Sequence, residues 1–398
     1  MRICVLTTSY PRWPGDPSSP FVADLVDHLQ AQPDTQITVL APATVGARPS
    51  EGWGPRAIVR RLTYFWPARL QKLAYGDGIP WNLRRSRLAW VNIPFFLAAF
   101  AWAALTEGRR ADIIHAQWGV LGAVATLLRP FHRRPVAVSI PGSDLASKVS
   151  LIRRVTHLAI RRADAVMTPS TDFWHACREL ADEPDRCFCL LHGVPCPPRA
   201  TIERLRRRKA TGTVGYRIVT IGRLISDRRH DLLVRAVARV REQFPQVRLT
   251  VVGQGGQFDT LEALARKLGI ADCVEMPGRV PSVDEYLLDA DLYVSPTTVD
   301  AFGTAVVEAA AYGLPVVTTR VGFPAELVVE GQGGYVVPPA DETALAEAIL
   351  RVLRKDPDER TAMGWRMRDR VIEKELTWDI SAKKVRRIFE DCIAEARR

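Results

Sequence analysis

The chain has 398 residues, 47% of them apolar and 25% charged. This is the make-up of a soluble globular protein of two or three domains, and it excludes a disordered, collagen-like or polytopic membrane chain. Lys and Arg outnumber Asp and Glu by 55 to 44, a formal net charge of +11, which points to anionic partners: phosphates, nucleic acid or an anionic membrane face.

The N-terminus, Met1 to Pro11, reads as a first strand; its apolar core is too short for a signal peptide. Arg2 to Leu6 is a β-rich run, followed by a loop with Pro11, Pro14, Gly15 and Pro17. A helical pattern then starts near Phe21 and carries Val22, Leu25, Val26 and Leu29. Further strands are predicted at Gln36 to Leu40, Asp112 to His115, Val136 to Ile140 and Ala165 to Thr168. Between them Leu88 to Leu105 runs eighteen residues without a charge, interrupted by Asn92 and Pro94 and preceded by Arg84, Arg85 and Arg87. Its length and its proline favour a helix packed over a buried sheet rather than a membrane span. The flanking arginines leave contact with an anionic membrane face open.

Gly193 to Gly215 holds Pro195, Pro197 and Pro198 and the basic run Arg204, Arg206, Arg207, Arg208 and Lys209. Proline and dense like charge predict a linker or exposed segment there. A second α/β opening follows. Arg217 to Ile221 is a buried-strand run ending in Gly222-Arg223, and the next helix carries Leu232, Leu233, Ala236, Val237 and Val240. Strands follow at Arg248 to Val252, Leu292 to Ser295 and Pro315 to Thr318. Short apolar runs alternating with helices predict parallel sheets built from βαβ units. The seven cysteines are scattered, with no C-x-x-C pair, and Cys187-Phe-Cys189 has the wrong spacing for a zinc knuckle. Reduced thiols in a cytoplasmic protein are expected.

Open parallel sheets bind ligands beyond the carboxyl ends of their strands, so the chemistry is sought in those loops. Arg223 and Arg228 leave one strand end together, as a diphosphate site requires; a solvated basic turn explains them as well. Asp300 to Glu308 follows another strand end. Gly303 permits close backbone approach, the helix beginning there offers free N–H groups, and Glu308 lies about one turn in, where a carboxylate could accept ribose hydroxyls; a helix-surface acid at Glu308 and an N-terminal turn residue at Asp300 explain them as well. Val252-Gly253-Gln254-Gly255 is a Gly-rich turn, but its spacing is incomplete for a dinucleotide fingerprint, so NAD is discounted. His115 at a strand end is a candidate acid, base or hydroxyl ligand, although a lone His is more often a hydrogen-bonded loop residue. Asp144, in Pro141-Gly142-Ser143-Asp144, is a sugar ligand or a helix cap.

Together these phrases resemble, in order and over nearly the whole chain, the family-four retaining glycosyltransferases of the GT-B fold. The most specific piece is Asp300-Ala301-Phe302-Gly303, then Glu308-Ala309 and Tyr312-Gly313-Leu314-Pro315. Gly222-Arg223-Leu224, Gly278-Arg279-Val280 and Gly334-Tyr335-Val336-Val337 match other loops on the donor side. Pro11 to Val22 and Asp112 to Trp118 match loops on the acceptor side.

The resemblance implies an α/β protein with two Rossmann-like doubly wound domains facing across a cleft. Residues 1–197, with a C-terminal helix 379–398 packed back on them, would bind the acceptor, and 198–378 a nucleotide-diphospho-sugar. Arg223 and Arg228 would hold the diphosphate and act in catalysis, with Asp300 near the sugar and His115 catalytic. Glu308 would take the ribose, Arg279 would meet the base, and Gly253, Phe302, Gly303 and Thr304 would complete the donor site. Ser18, Ser19, His115 and Asp144 would meet a glycan or lipid-linked acceptor. No metal or other cofactor is expected, since arginines and helix amides meet the leaving diphosphate. The implied setting is cytoplasmic assembly of cell-surface polysaccharide or glycolipid, with peripheral membrane contact. Nucleic acid is discounted, because no recognition helix or aromatic-basic platform is seen.

The chain also departs from the family pattern. Asp300 stands where Glu is usual, Arg228 where Lys is, and Arg229 where Gly is. Gln117 replaces a second His, Pro141 replaces a His, and Ser18-Ser19-Pro20 replaces a glycine pair. These changes keep two alternatives open: a soluble small-molecule acceptor, or a catalytically weakened binding protein.

Overall fold

The computed structural model describes residues 1–13, 16, 18–44, 48–75, 79–140, 145, 149–209, 215–300 and 302–398. The chain divides into two units: Met1–Leu191 with Trp378–Arg398, and His192–Thr377. The sequence reading put these joins after 197 and after 378.

In the first unit the strands are β1 (Arg2–Leu6), β2 (Gln36–Pro42), β3 (Ser50–Trp53), β4 (Ala57–Leu62), β5 (Ile113–Gln117), β6 (Val136–Ser139), β7 (Ala165–Thr168) and β8 (Cys187–Cys189). They pair in the order β3-β4-β2-β1-β5-β6-β7-β8, all parallel except β3 against β4. The helices are α1 (Pro20–Gln30), α2 (Ile79–Arg85), α3 (Arg87–Thr106), α4 (Gly119–Leu127), α5 (Arg129–His132), α6 (Ser150–Arg162) and α7 (Thr171–Leu180). In the second unit β9 (Arg217–Ile221), β10 (Arg248–Val252), β11 (Val274–Gly278), β12 (Leu292–Ser295), β13 (Val316–Thr319) and β14 (Gly334–Val337) form a parallel sheet ordered β11-β10-β9-β12-β13-β14. Its helices are α8 (Arg199–Lys209), α9 (His230–Gln243), α10 (Phe258–Lys267), α11 (Asp284–Asp289), α12 (Thr304–Ala311), α13 (Gly322–Leu327), α14 (Glu342–Leu353) and α15 (Pro357–Glu373). The last helix, α16 (Trp378–Glu395), belongs to the first unit.

Both sheets carry the doubly wound order, and each reverses direction once, between β1 and β5 and between β9 and β12. A crevice opens at such a switch point, beyond the strands' carboxyl ends. The central strands are mainly apolar because both faces are covered. Successive residues of β1 show this. Ile3 and Val5 pack with α1 and α16, through Val26, Leu29, Val385 and Phe389. Cys4 and Leu6 pack with Phe96, Phe100 and Leu121 on the other face.

Two expectations are corrected. The basic segment after Pro198, expected as a linker or an exposed segment, is not a linker, although Arg204 and Arg207 are exposed. Arg199–Lys209 is helical, Ile202 is buried, and Arg199 pairs with Glu203 one turn on at 2.9 Å. Prolines directly before a helix leave its hydrogen bonds intact. The second correction concerns His115. β5 runs on to Gln117, so His115 lies inside the strand, between Val5 and Ala137. For the apolar stretch Leu88 to Leu105, α3 is helical and packs one side on the core through Ala89, Asn92, Phe96 and Phe100. The Asn92 amide oxygen accepts the Lys72 backbone N–H at 2.8 Å.

Candidate active site

At the second switch point four loops are tied together by backbone hydrogen bonds. Gly222 N–H donates to Val252, Leu224 N–H to Gln254 and Gly253 N–H to Gly278, at 3.0, 3.0 and 2.9 Å. The carbonyl of Asp227 accepts the Thr298 N–H at 2.9 Å and the Thr297 hydroxyl at 3.1 Å. Gly253 has φ +151°, and a Cβ there would lie 1.8 Å from the Gly222 carbonyl oxygen. The close approach of the two turns therefore requires glycine.

The same lacing joins β9's turn to the start of α12. Arg228 forms an ion pair with Asp300, and Asp300 Oδ1 also accepts the Gly303 N–H at 3.2 Å. Gly303 adopts φ +67° at the helix entry, where a Cβ would lie 2.2 Å from Pro324 Cγ. Phe302 is buried, stacked on Phe323 at 5.5 Å and edge-on to His192 at 5.7 Å. Its ring fixes the backbone that leads into α12. Thr304 is exposed at the helix start, and Glu308 is half-buried one turn in. Arg223 is exposed and forms no ion pair among the described residues. Arg279 is exposed just past β11. Arg223 and Arg228 lie near the amide end of α12, where the helix dipole has its positive end.

Sequence reasoning missed the supports of this site. Tyr293 on β12 is fully buried, and its hydroxyl donates to the Ile221 carbonyl at 3.2 Å, where β9 ends. Burial pushes its phenol up, and the Asp300 and Glu308 carboxylates add to the shift. The far end of α12 is held by two arginines. Arg206 donates to Tyr312 O at 3.2 Å and to Gly313 O at 3.4 Å, and buried Arg368 donates to Ala311 O at 2.5 Å. Cations on the last carbonyls satisfy them and complement the dipole. Their only sequence signal was the expected helix between them. His230, at the start of α9, is buried beneath the Gly222 turn, and burial keeps it neutral with its pKa down at about 4.

Asp289-Ala290-Asp291 lies at the opposite end of the sheet. Asp289 pairs with Arg217, and Asp291 accepts the Arg217 N–H at 2.9 Å. Among the described residues no group of three His, Cys, Asp or Glu side chains is arranged to hold a metal ion.

In the first unit the loop after β1 is pinned from beneath. Arg61 on β4 is buried and donates to Tyr10 O at 3.2 Å, Pro11 O at 2.5 Å and the Tyr75 hydroxyl at 2.9 Å. Within the loop, Ser18 donates its hydroxyl to Asp16 at 2.9 Å, and Ser19 and Ser9 share a hydroxyl contact at 2.5 Å. Burial raises the Asp16 carboxyl, but hydrogen bonds from Arg12 and Ser18 outweigh it and hold the group below its usual range. His115 lies outside this loop. It is fully buried, with Nε2 2.8 Å from Ser139 Oγ and its ring edge-on to Phe389 of α16 at 5.1 Å. Burial pushes its pKa down to about 3. The pleat turns it into the sheet–helix core, which takes it out of reach of a substrate hydroxyl. Pro141 and Asp144 lie outside the described residues.

Two family models match the chain: "Glycosyl transferase 4-like domain" over residues 18–188 and "Glycosyl transferases group 1" over 201–370. The chain belongs to the family-four glycosyltransferases. It is therefore an enzyme of the glycosyl-transferring class. Similar proteins include a D-inositol 3-phosphate glycosyltransferase of Corynebacterium jeikeium, 29% identical over 75% of this chain and 78% of its own. WcaL of Escherichia coli, named as a candidate glycosyltransferase of colanic acid biosynthesis, is 30% identical over 66% of each chain. Among solved structures, a sucrose-phosphate synthase of Thermosynechococcus elongatus has TM-score 0.77 at 21% identity, covering 99% of both chains. Anabaena HepE, solved in complex with UDP, has TM-score 0.73 at 18% identity over 98% of this chain and 100% of its own. These two establish the shared fold of paired Rossmann-like sheets.

Proposed function

We propose that this transferase moves a sugar from a nucleotide-diphospho-sugar to a glycan or lipid-linked acceptor, with retention at the anomeric carbon, in the assembly of cell-surface polysaccharide or glycolipid. The observation that carries the donor half is the meeting of Arg228, Asp300 and the amide end of α12 at the β9/β12 switch point. The diphosphate lies against Arg223, Arg228 and the Gly303 and Thr304 amides. Asp300 takes sugar hydroxyls, Glu308 the ribose, and Arg279 the base. As the bond from the anomeric carbon to the phosphate oxygen breaks, charge grows on the diphosphate, and cations already in place stabilise it without reorganising. This chemistry requires no metal. HepE's complex with UDP-glucose supports a donor of this class, and WcaL's name supports the polysaccharide setting. The acceptor contacts are Ser18, Ser19 and Asp144; the buried placement of His115 argues for a packing role instead.

The test is a thermal-shift panel of UDP, GDP, ADP and dTDP with their common sugars. A ligand that binds only the folded state raises the melting temperature by mass action. One nucleotide should stabilise the wild type, and Arg223→Ala and Glu308→Ala should each lose the shift. No shift from any of them at millimolar concentration would overturn the donor assignment.

A further inference from the structure

The chain's charge is unevenly placed. Residues 62–163 hold 15 Lys and Arg against 4 Asp and Glu, so this stretch alone accounts for the net +11. The remaining residues balance at 40 of each sign, from the totals of 55 and 44. α3 lies within this stretch.

α3 is apolar on two opposite sides. Ala89, Asn92, Phe96, Phe100 and Ala103 face the core. The other side carries Trp90 and Phe95, about half exposed at 53% and 49%, and Trp102 at 70%. Val91, Pro94 and Ala98 complete this exposed stripe at helical spacing, and no charged residue occurs from Leu88 to Thr106. Trp66, 83% exposed, extends it, because its neighbour Phe65 meets Phe95 edge-on at 5.0 Å. A twenty-residue helix is about 30 Å long. A soluble surface has no reason to leave such a stripe of aromatics uncovered. Arginines bracket it: Arg84, Arg85 and Arg87 before, Arg109 and Arg110 after, all exposed.

We propose that this face of the first unit is a docking surface for an anionic lipid bilayer. α3 lies in the plane of the interface, its outer aromatics in the headgroup–acyl boundary and the flanking arginines among acidic headgroups. Three features carry this. Tryptophans concentrated at one level match the membrane–water interface. An apolar helix face ringed by cations is what interfacial helices use. The excess charge also argues against a second copy as the cover, since two such surfaces would bring like charges together. The inner side of α3 belongs to the core, so the helix lies on a membrane and does not cross one. The inference deepens the proposed function by naming the surface from which a lipid-linked acceptor is drawn, and its test needs no transfer activity.

The test is flotation of the whole chain with vesicles of phosphatidylcholine alone or with about a third phosphatidylglycerol. The protein should float with the anionic vesicles, remain largely free with the neutral ones, and be released as salt screens the arginines. Trp90→Ser/Phe95→Ser/Trp102→Ser should cut binding at least about tenfold, and Arg84→Glu/Arg85→Glu/Arg87→Glu should abolish the preference for acidic lipid. Trp90 donates to Leu83 O at 2.9 Å and Phe95 meets Phe65, so some loss of melting temperature is expected in the aromatic variant. Each variant should keep a cooperative unfolding transition and the wild-type nucleotide shift, which show that it is folded. A wild-type chain that stays free of anionic vesicles overturns the proposal, as does a folded aromatic variant that floats like the wild type. A concentration-dependent dimer lost in the aromatic variant, without vesicle binding, would assign the face to a second copy and overturn it as well.

Discussion

Arg228 and Asp300, 72 positions apart in the chain, form an ion pair that joins the first turn after β9 to the entry of α12. Where the resemblance leads one to expect Lys and Glu, this chain has a planar guanidinium and a shorter carboxylate, and the two meet. Arg228 Nη1 meets Asp300 Oδ2 while Asp300 Oδ1 takes the Gly303 N–H, so the three groups are tied into one unit. Removing either partner should therefore cost about as much as removing both. Arg228→Ala should lower kcat/KM by at least about 100-fold, Asp300→Ala should lose a comparable factor, and the double variant should fall little further. Steady-state kinetics on the three variants checks this. Fully additive losses would show that the residues act separately.

Arg368 should matter to α12 although it lies at the end away from the donor. Its guanidinium donates to Ala311 O from a buried position. Arg368→Met should destabilise the fold by about 2 kcal/mol, the usual worth of a hydrogen bond to a charged group. Denaturant unfolding reads the change. A variant within a few tenths of a kcal/mol of the wild type would mean that the last carbonyls of α12 are satisfied without it.

His115 predicts a pH dependence of stability. Burial lowers its folded pKa from 6.5 to about 3, so below pH 6.5 the unfolded chain takes up a proton that the folded chain refuses. Its contribution is fully present above pH 6.5 and is lost as pH falls towards 3, at about 1.4 kcal/mol per pH unit. His192 and His230, both lowered to about 4 by burial, act in the same direction. His115→Gln should be less sensitive than the wild type between pH 7 and 5 by roughly that amount per unit below 6.5. Parallel stability–pH curves for the two proteins would contradict this placement.

The central strands were legible because both of their faces are buried, which leaves a short, mainly apolar and β-branched run in the sequence. Arg2–Leu6, Ala165–Thr168, Arg217–Ile221, Arg248–Val252 and Leu292–Ser295 are found at the predicted bounds. The strands that went unread lie mostly at sheet edges. β3, β8, β11 and β14 are edge strands, and β11 carries Glu275 and Pro277, which edges tolerate and centres do not. β4 was hidden by Arg60 and Arg61, whose charge reads as loop until Arg61 is seen buried among carbonyl oxygens.

At the site, the loops and their cations were legible because strand ends mark where ligands bind. What holds them was not. Tyr293, Arg206 and Arg368 act through backbone carbonyls of distant segments, and no local pattern announces such a contact. His115 was misplaced for a smaller reason. The strand runs two residues further than expected, so His115 lies within it, buried, and not at its open end.

The most direct test of the donor site compares the nucleoside diphosphate that stabilises the chain with its 2′-deoxy counterpart, by calorimetric titration of the wild type and Glu308→Ala. If Glu308 at the start of α12 takes the ribose hydroxyls, the wild type should bind the deoxy form about tenfold more weakly, the value of one charge-assisted hydrogen bond. Glu308→Ala should bind both forms alike. Equal discrimination by the two proteins would place the ribose elsewhere and contradict the account of the site.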